Sequence, residues 1–224
     1  MIVLDAGCPQ AKAELRSYVA GLGRDDIKVF EAPSDQTLGA LRNLSMACAS
    51  GTILCQWDDD DLYHAQRVER QLTALLESHK AAVGLQEVLQ FFPVSRVMFW
   101  TNWRNAPATI MPSTIMFRAD APMTYPETGP ESLRGEDSVV CAQLLAANAL
   151  SPLAGMPQLS IYVSHGANTW DDGHHAMLAN TFGISHGLIR RRESWLREQL
   201  APFDFGPGPI TVRGPSDVAF TLDL

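Results

Sequence analysis

Four consecutive aspartates, Asp58 to Asp61, are the residues of this sequence best suited to chemistry. Carboxylates crowded into one place raise each other's pKa and resist joint ionisation unless a cation or solvent lies among them. Oxygen ligands of this kind suit Mg²⁺ or Mn²⁺, which proteins usually hold with one or two carboxylates while water and substrate phosphates complete the shell. The run therefore indicates a site for Mn²⁺ or Mg²⁺.

The plainer interpretation of an acidic run is a solvated loop, and the flanking sequence decides between the two. The apolar run 52–57 before the aspartates has strand length and a β-branched start, and Gly51 precedes it as a helix-ending signal. An amphipathic segment begins soon after, at Val68. We therefore expect a buried strand that delivers the carboxylates to its C-terminal end, which is where open α/β sheets bind ligands.

A second acidic pair, Glu136-Asp137, follows Gly135 at the start of a predicted helix. The general preference for acidic residues at helix N-termini would also place them there. Their distance in sequence from the aspartate run is what suggests a separate role.

Three histidines cluster after a predicted strand at 159–163. His165 lies at the end of that strand beside Gly166, a better place for a ligand than most loop histidines have. A zinc site made from His165, His174 and His175 is disfavoured, because the sequence has neither nearby cysteines nor an HExxH spacing.

The elements that must position these residues change character along the chain. Hydrophobic spacing in the first half predicts strands at 1–5, 27–30 and 52–57 that alternate with helices. The second half reads instead as short strands at 82–86, 88–92, 96–101, 113–118 and 159–163, a loop over 122–134, a helix from 135 and a last helix carrying Leu188 to Leu196. This order predicts an α/β fold, with a mostly parallel mixed sheet and helices on both faces. We expect one domain over 1–200 and a Pro/Gly-rich tail over 201–224 that packs on it.

Composition excludes several classes of protein. The chain has 224 residues and a net charge of -8, so it lacks the basic surface that nucleic acids need. Arg190-Arg191-Arg192 is the exception, and we interpret it as a solvated helix face that is compatible with peripheral binding to an anionic membrane. No apolar run approaches the roughly 20 residues of a membrane span, and the first residues lack a signal pattern. With four scattered cysteines, interpreted as buried free thiols, this predicts a cytoplasmic protein.

The order of motifs resembles the inverting family 2 glycosyltransferases of the GT-A fold. The resemblance rests on Ile2 to Gly7, Leu41-Arg42-Asn43, Ala49-Ser50-Gly51, Trp57 to Asp61 and Gly135-Glu136-Asp137, over roughly residues 1–145. It implies one GT-A-like, Rossmann-like domain.

On the donor side, the family's DxD motif matches Asp58-Asp59-Asp60. The resemblance implies that Asp60 binds the metal, and that Asp58 and Asp59 contact the sugar and ribose of a nucleotide-sugar donor. Asp5 matches the family's aspartate on the nucleobase side, and Arg42 matches its arginine beneath the nucleotide site.

On the acceptor side, Glu136 and Asp137 match the family's acidic pair, in which the aspartate is the general base. His165 is expected to add a metal or diphosphate contact. The implied reaction is transfer of a sugar, with inversion, from a nucleotide-diphosphate donor to a glycan or lipid-linked acceptor, in bacterial surface polysaccharide synthesis.

The sequence departs from the family pattern in two places. It begins at what matches the family's second strand, and Ala6 replaces one carboxylate of an aspartate pair. Three explanations stay open: a segment absent from this sequence, a substitute strand from 210–224, or weakened nucleotide binding. The last favours an alternative function, a non-catalytic scaffold with the same fold. A phosphohydrolase is disfavoured because no lysine lies in a convincing motif, and an unfinished sheet edge would favour pairing with another copy of the chain.

Overall fold

The first half of the chain alternates strands and helices, as its hydrophobic spacing predicts. The structure is a computed structural model that describes residues 1–5 and 7–223, with the side chain of Asp5 outside the described part. The elements are β1 (Ile2–Asp5), α1 (Pro9–Gly21), β2 (Lys28–Glu31), α2 (Leu38–Cys48), β3 (Ile53–Cys55), β4 (Leu62–Tyr63) and α3 (Arg67–Ser78). The sequence did not predict β4, whose two residues are too few for any periodicity.

The second half contains most of the strands. Its elements are β5 (Ala82–Leu85), β6 (Glu87–Phe92), β7 (Val97–Asn102), β8 (Met116–Arg118), α4 (Glu136–Ala146), β9 (Leu150–Leu153), β10 (Ser160–Val163), α5 (Asp172–Phe182), α6 (His186–Arg191), α7 (Glu193–Leu200), β11 (Ile210–Arg213) and β12 (Val218–Leu222). Placing His174 and His175 in a loop was wrong, because both belong to α5. That helix begins where the side chain of Asp171 accepts a hydrogen bond from the backbone N–H of His174.

The strands form three sheets in the described part of the chain. A six-stranded sheet has the order β12-β11-β7-β6-β10-β4, a four-stranded sheet the order β3-β8-β5-β9, and β1 pairs with β2. Parallel pairs join β1 to β2, β6 to β10, β7 to β11 and β5 to β9, and the other five pairings are antiparallel. The prediction of an α/β fold with a mixed sheet is confirmed.

Two apolar clusters make up most of the core. One lies between the six-stranded sheet and the last helices, where Leu89 and Val212 pack with Leu196. The other joins α4 to the four-stranded sheet through Val140 and Phe117. Both clusters lie in the second half of the chain, so the first half contributes little to the core.

The strand before the aspartates is less buried than expected. All three residues of β3 are only half-buried, because β3 pairs with β8 on one edge and faces a groove on the other. The groove has a volume of about 680 Å³, and Met1 and Ile2 line its far wall. Among the residues described, no strand joins β1 to β3. Helix α1, which follows β1, has no buried residue.

The tail over 201–223 contributes to the six-stranded sheet. Strand β11 runs parallel to β7 and antiparallel to β12. Arg96 stabilises the turn before β11 by donating hydrogen bonds to the carbonyls of Phe205, Gly206 and Gly208. Strand β11 therefore pairs with β7 and β12 pairs with β11, so neither strand fills the groove between β1 and β3.

Two expectations from the sequence concern buried cysteines and the absence of a membrane-spanning segment. All four cysteines are free thiols, but only Cys141 is buried and Cys8 is exposed, so the expectation of four buried thiols was wrong. Cys8 is exposed because it precedes α1, which packs against little else. Within the described chain, no helix combines the length and apolar character that crossing a membrane requires.

Candidate active site

The aspartate run lies in the tight connection between β3 and β4, and an aromatic pair closes that connection. The rings of Trp57 and Tyr63 lie 4.1 Å apart at its two ends. The hydroxyl of Tyr63 accepts from the backbone N–H of Asp58 and donates to its carbonyl, both at 3.1 Å. The buried guanidinium of Arg67 packs on both rings and donates to the carbonyl of Gln56. The loop that carries the carboxylates is therefore held in place by these contacts.

Arg42 of α2 connects the aspartate run to the second acidic pair. One guanidinium nitrogen lies 3.0 Å from Asp58 Oδ1, and Nε donates to Glu136 Oε1 at 2.7 Å. Burial would lower the pKa of Arg42, but these carboxylates outweigh it and raise its pKa above the usual value. The two acidic motifs, which are far apart in sequence, thus meet at one partly buried cation.

Asp137 lies beside this bridge in the first turn of α4. Its carboxylate accepts the backbone N–H of Ser138 at 2.7 Å. Gly135, just before the helix, has φ +81°, a left-handed conformation that glycine adopts without strain. Burial, and next the charge of Glu136, raise the pKa of Asp137 to about 6. A carboxylate with this pKa is suited to accept a proton near neutral pH.

Asp60 and His165 come together on the other side of the loop. His165 Nε2 lies 3.0 Å from Asp60 Oδ2, and both side chains are solvent-accessible. Asn168 shapes the histidine loop, since its side chain accepts the backbone N–H of His165 and donates to the carbonyl of Val163. The end of β10 thus places His165 beside the aspartate run.

Asp61 is a site residue that the sequence analysis did not single out. Its carboxylate accepts the backbone N–H of Val163 at 2.9 Å, which ties the aspartate loop to the end of β10. Burial, followed by the nearby charges of Asp58 and Asp60, raises its pKa to about 8. Nothing in a run of four identical residues marks the last one as the residue that bonds to β10, so the sequence carried no signal for this role.

A cavity of about 300 Å³ opens beside these groups. Asp58, Glu136 and Asp137 line it together with residues of β6, β7 and α5. At its edge Trp170 stacks on His174 at 4.4 Å, with the guanidinium of Arg134 4.7 Å from the same indole. These three residues were missed as a group because they lie on two separate loops and a helix that the sequence did not predict.

The remaining predicted site residues are Asp59 and Asp5. Asp59 is exposed, and no side-chain contact is described for it. Asp5 is the last residue of β1, and its side chain, like the whole of Ala6, lies outside the described residues.

The possible metal ligands form a pair. In the described residues, no group of three or more His, Cys, Asp or Glu side chains is arranged to hold a metal ion. Asp60 would supply the carboxylate oxygen that Mn²⁺ and Mg²⁺ prefer, with His165 beside it, and such ions take few protein ligands and complete their shell with water and substrate oxygens. The three histidines do not converge, since His174 stacks on Trp170 while His175 contacts Tyr162.

Solved structures with a similar fold include those of TarS from S. aureus. The crystal structure of TarS 1–349 matches with a TM-score of 0.52 and 14% identity, over 89% of this chain and 64% of that chain. Its complex with UDP-GlcNAc matches with a TM-score of 0.55 and 14% identity, over 91% and 58%. This chain therefore spans less than two thirds of these structures. At such low identity the likeness shows the fold alone, that of GT-A glycosyltransferases.

The family of this chain is shown by a match to a protein-family model. The model described as glycosyl transferase family 2 matches residues 1–120, more than half of the chain. No curated protein matches this sequence. The chain belongs to glycosyltransferase family 2, and the resemblance noted in the sequence is confirmed.

Proposed function

We propose that this glycosyltransferase moves a sugar from a nucleoside-diphosphate donor to a hydroxyl acceptor with inversion of the anomeric configuration. The observation that carries the proposal is that Arg42 bonds Asp58 and Glu136 at the wall of one cavity that Asp137 also lines. The carboxylates that we propose for the donor side and for the acceptor side therefore line the same cavity. In support of a nucleotide-sugar donor, TarS 1–349 has been crystallised with UDP-GlcNAc and with UDP.

The donor would bind along the aspartate run. Asp58, Asp59 and Asp5 are assigned to its sugar, ribose and base, and Arg42 supports Asp58 from beneath. The brace of Trp57, Tyr63 and Arg67 holds that loop before any ligand binds. A carboxylate that is already positioned contributes more to affinity because less ordering is required on binding.

The transfer step needs a base on the acceptor side. The acceptor oxygen forms a bond to the anomeric carbon as the bond to the diphosphate breaks, and Asp137 takes the hydroxyl proton. Glu136 is held against Arg42, so its charge raises the pKa of Asp137 while its own position stays fixed. A single displacement of this kind inverts the anomeric centre.

A cation would help the diphosphate leave. Asp60 and His165 are the residues proposed to hold Mn²⁺ or Mg²⁺, which supplies Lewis-acid stabilisation of the charge left on the phosphates. Asp61 helps to hold Asp60 close to His165, because its hydrogen bond ties the aspartate loop to the end of β10. The proposed acceptor is a glycan or lipid-linked hydroxyl, and the proposed role is surface polysaccharide synthesis in the cytoplasm.

Calorimetric titration of UDP, GDP and dTDP, with and without Mn²⁺, tests the donor site. We expect one nucleotide to bind in a metal-dependent manner, and Asp60→Ala to remove that dependence. Asp120→Ala, which changes an exposed aspartate outside the site, is the matched control and should bind as the unchanged chain does. Absence of binding by all three nucleotides would reject the donor site and favour the non-catalytic alternative.

A further inference from the structure

A second cavity lies behind the sheet that carries the candidate active site. Its volume is about 510 Å³, and Glu87, Trp100 and Asn102 line it. Val88 and Thr101, their neighbours on the same two strands, line the active-site cavity instead. Because successive residues of a strand point to opposite faces, the two cavities lie on opposite faces of the β6–β7 pair.

The floor of this second cavity combines aromatic rings with a fixed carboxylate. The rings of Trp100 and Trp195 lie 6.0 Å apart and are tilted by 38°. Glu87 accepts from the indole N–H of Trp100 at 3.0 Å and from the side-chain amide of Asn102 at 3.1 Å. Both oxygens of Glu87 are therefore oriented, and each can accept one further hydrogen bond.

The rim carries two cations without partners. Arg191 and Arg192 line the cavity, and within the described residues neither side chain has a hydrogen bond or ion pair. Arg190 differs, because it donates to the carbonyls of Ala219 and Val218 and so has a structural role. In a chain of net charge -8, these two guanidinium groups outnumber the one carboxylate that lines the cavity, that of Glu87, so the cavity is locally cationic.

We propose that the second cavity binds a glycan segment that carries anionic groups. The apolar face of a sugar ring can pack on an indole, while Glu87 and Asn102 offer polar atoms to its hydroxyls. The planar fork of an arginine matches carboxylate and phosphate groups. That this glycan is the acceptor chain, held away from the reacting end, rests on the proposed function.

Quenching of intrinsic tryptophan fluorescence tests the proposal, because Trp100 and Trp195 are two of the five tryptophans. The probes are tetragalacturonate as an anionic glycan, maltotetraose as a neutral glycan, and inorganic phosphate as an anion alone. We expect tetragalacturonate to bind most tightly, and Arg191→Gln/Arg192→Gln to weaken it about tenfold, since each exposed ionic contact contributes only a few-fold. The matched control Arg24→Gln/Arg70→Gln removes two exposed arginines that do not line this cavity and should leave binding unchanged.

Equal affinity of the Arg191→Gln/Arg192→Gln chain and the unchanged chain would overturn the proposal. Binding of maltotetraose or phosphate as tight as that of tetragalacturonate would overturn it too. Tight binding of maltotetraose would mean that the arginines are not needed for recognition, and tight binding of phosphate would mean that the sugar is not needed. Titration with UDP, GDP and dTDP separates this result from the proposed function, since the two arginines lie outside the proposed donor site. Tetragalacturonate binding without any nucleotide binding would keep the glycan site and reject the transferase assignment.

Discussion

Replacing Arg42 by methionine tests the bridge at the centre of the site. The substitution keeps much of the side-chain volume but removes the charge between Asp58 and Glu136. The side chain of Glu136 is 3% exposed, so its carboxylate would be left buried without a cation. Breaking a buried ion pair by removing one partner typically costs about 3–5 kcal/mol. For a chain of this size, that loss corresponds to a melting temperature lower by about 6–20 °C.

Denaturant unfolding of four chains measures this effect: the unchanged chain, Arg42→Met, Glu136→Met and Arg42→Met/Glu136→Met. We expect the double variant to be more stable than Arg42→Met, because it no longer buries an unpaired carboxylate. The pKa of Asp137 should rise further in Arg42→Met, because in the unchanged chain the positive charge of Arg42 lowers that pKa. If the double variant is no more stable than Arg42→Met, then burial of an unpaired Glu136 is not what destabilises the chain, and the reasoning fails.

Three further predictions concern single residues. The kcat/KM for transfer should rise with pH to a plateau above about 6, as Asp137 loses its proton, and Asp137→Asn should lower the rate by about 10²–10⁴ and abolish that pH limb. The folded-state pKa of Asp61, about 8, lies above the unfolded value of 3.8, so the folded chain retains the proton longer and stability falls as pH rises between these values. Asp61→Asn should therefore be more stable than the unchanged chain at pH 8 and similar to it near pH 4, by denaturant midpoints; an unchanged difference across pH would contradict this. Gly39→Ala should cost about 1–3 kcal/mol in thermal unfolding, because its Cβ would overlap the carbonyl of Pro126, whereas Gly21→Ala meets no atom and should not destabilise; equal stabilities would refute the packing argument.

Local sequence patterns predicted the elements that carry the aspartates. Hydrophobic spacing predicted a helix between the strands at 27–30 and 52–57, where α2 spans Leu38–Cys48, and the apolar run 52–57 contains β3. The burial of β3 was overestimated because the apolar pattern of a strand does not show whether both of its edges are paired. Helix α5 was missed since glycine, asparagine and aspartate residues at 166–173 gave a strong loop signal up to its first turn.

The convergence of the site could be predicted only through resemblance. Arg42 meets Glu136 across 94 positions, and no periodicity relates residues so far apart. The contact between His165 and Asp60 spans 105 positions and depends on the parallel pairing of β10 with β6. Family motifs named these residues as members of one site, whereas the physics of the sequence alone supported each of them only as a separate acidic or basic group.

The arrangement of charge in the site is unfavourable for the protein on its own. Asp58, Asp60 and Asp61 stand on one short loop, and Asp137 lies close enough to Asp58 for their charges to interact. Among the described residues, Arg42 is the one arginine or lysine bonded directly to these carboxylates, and it is already shared between Asp58 and Glu136, while His165 contacts Asp60. The raised pKa values of Asp61 and Asp137 follow first from burial and then from this repulsion. A ligand that brings positive charge to the aspartate run would relieve the repulsion, and its binding to the folded state would stabilise the chain in proportion to its affinity. The same groups that strain the unliganded fold are therefore those that the proposed reaction requires.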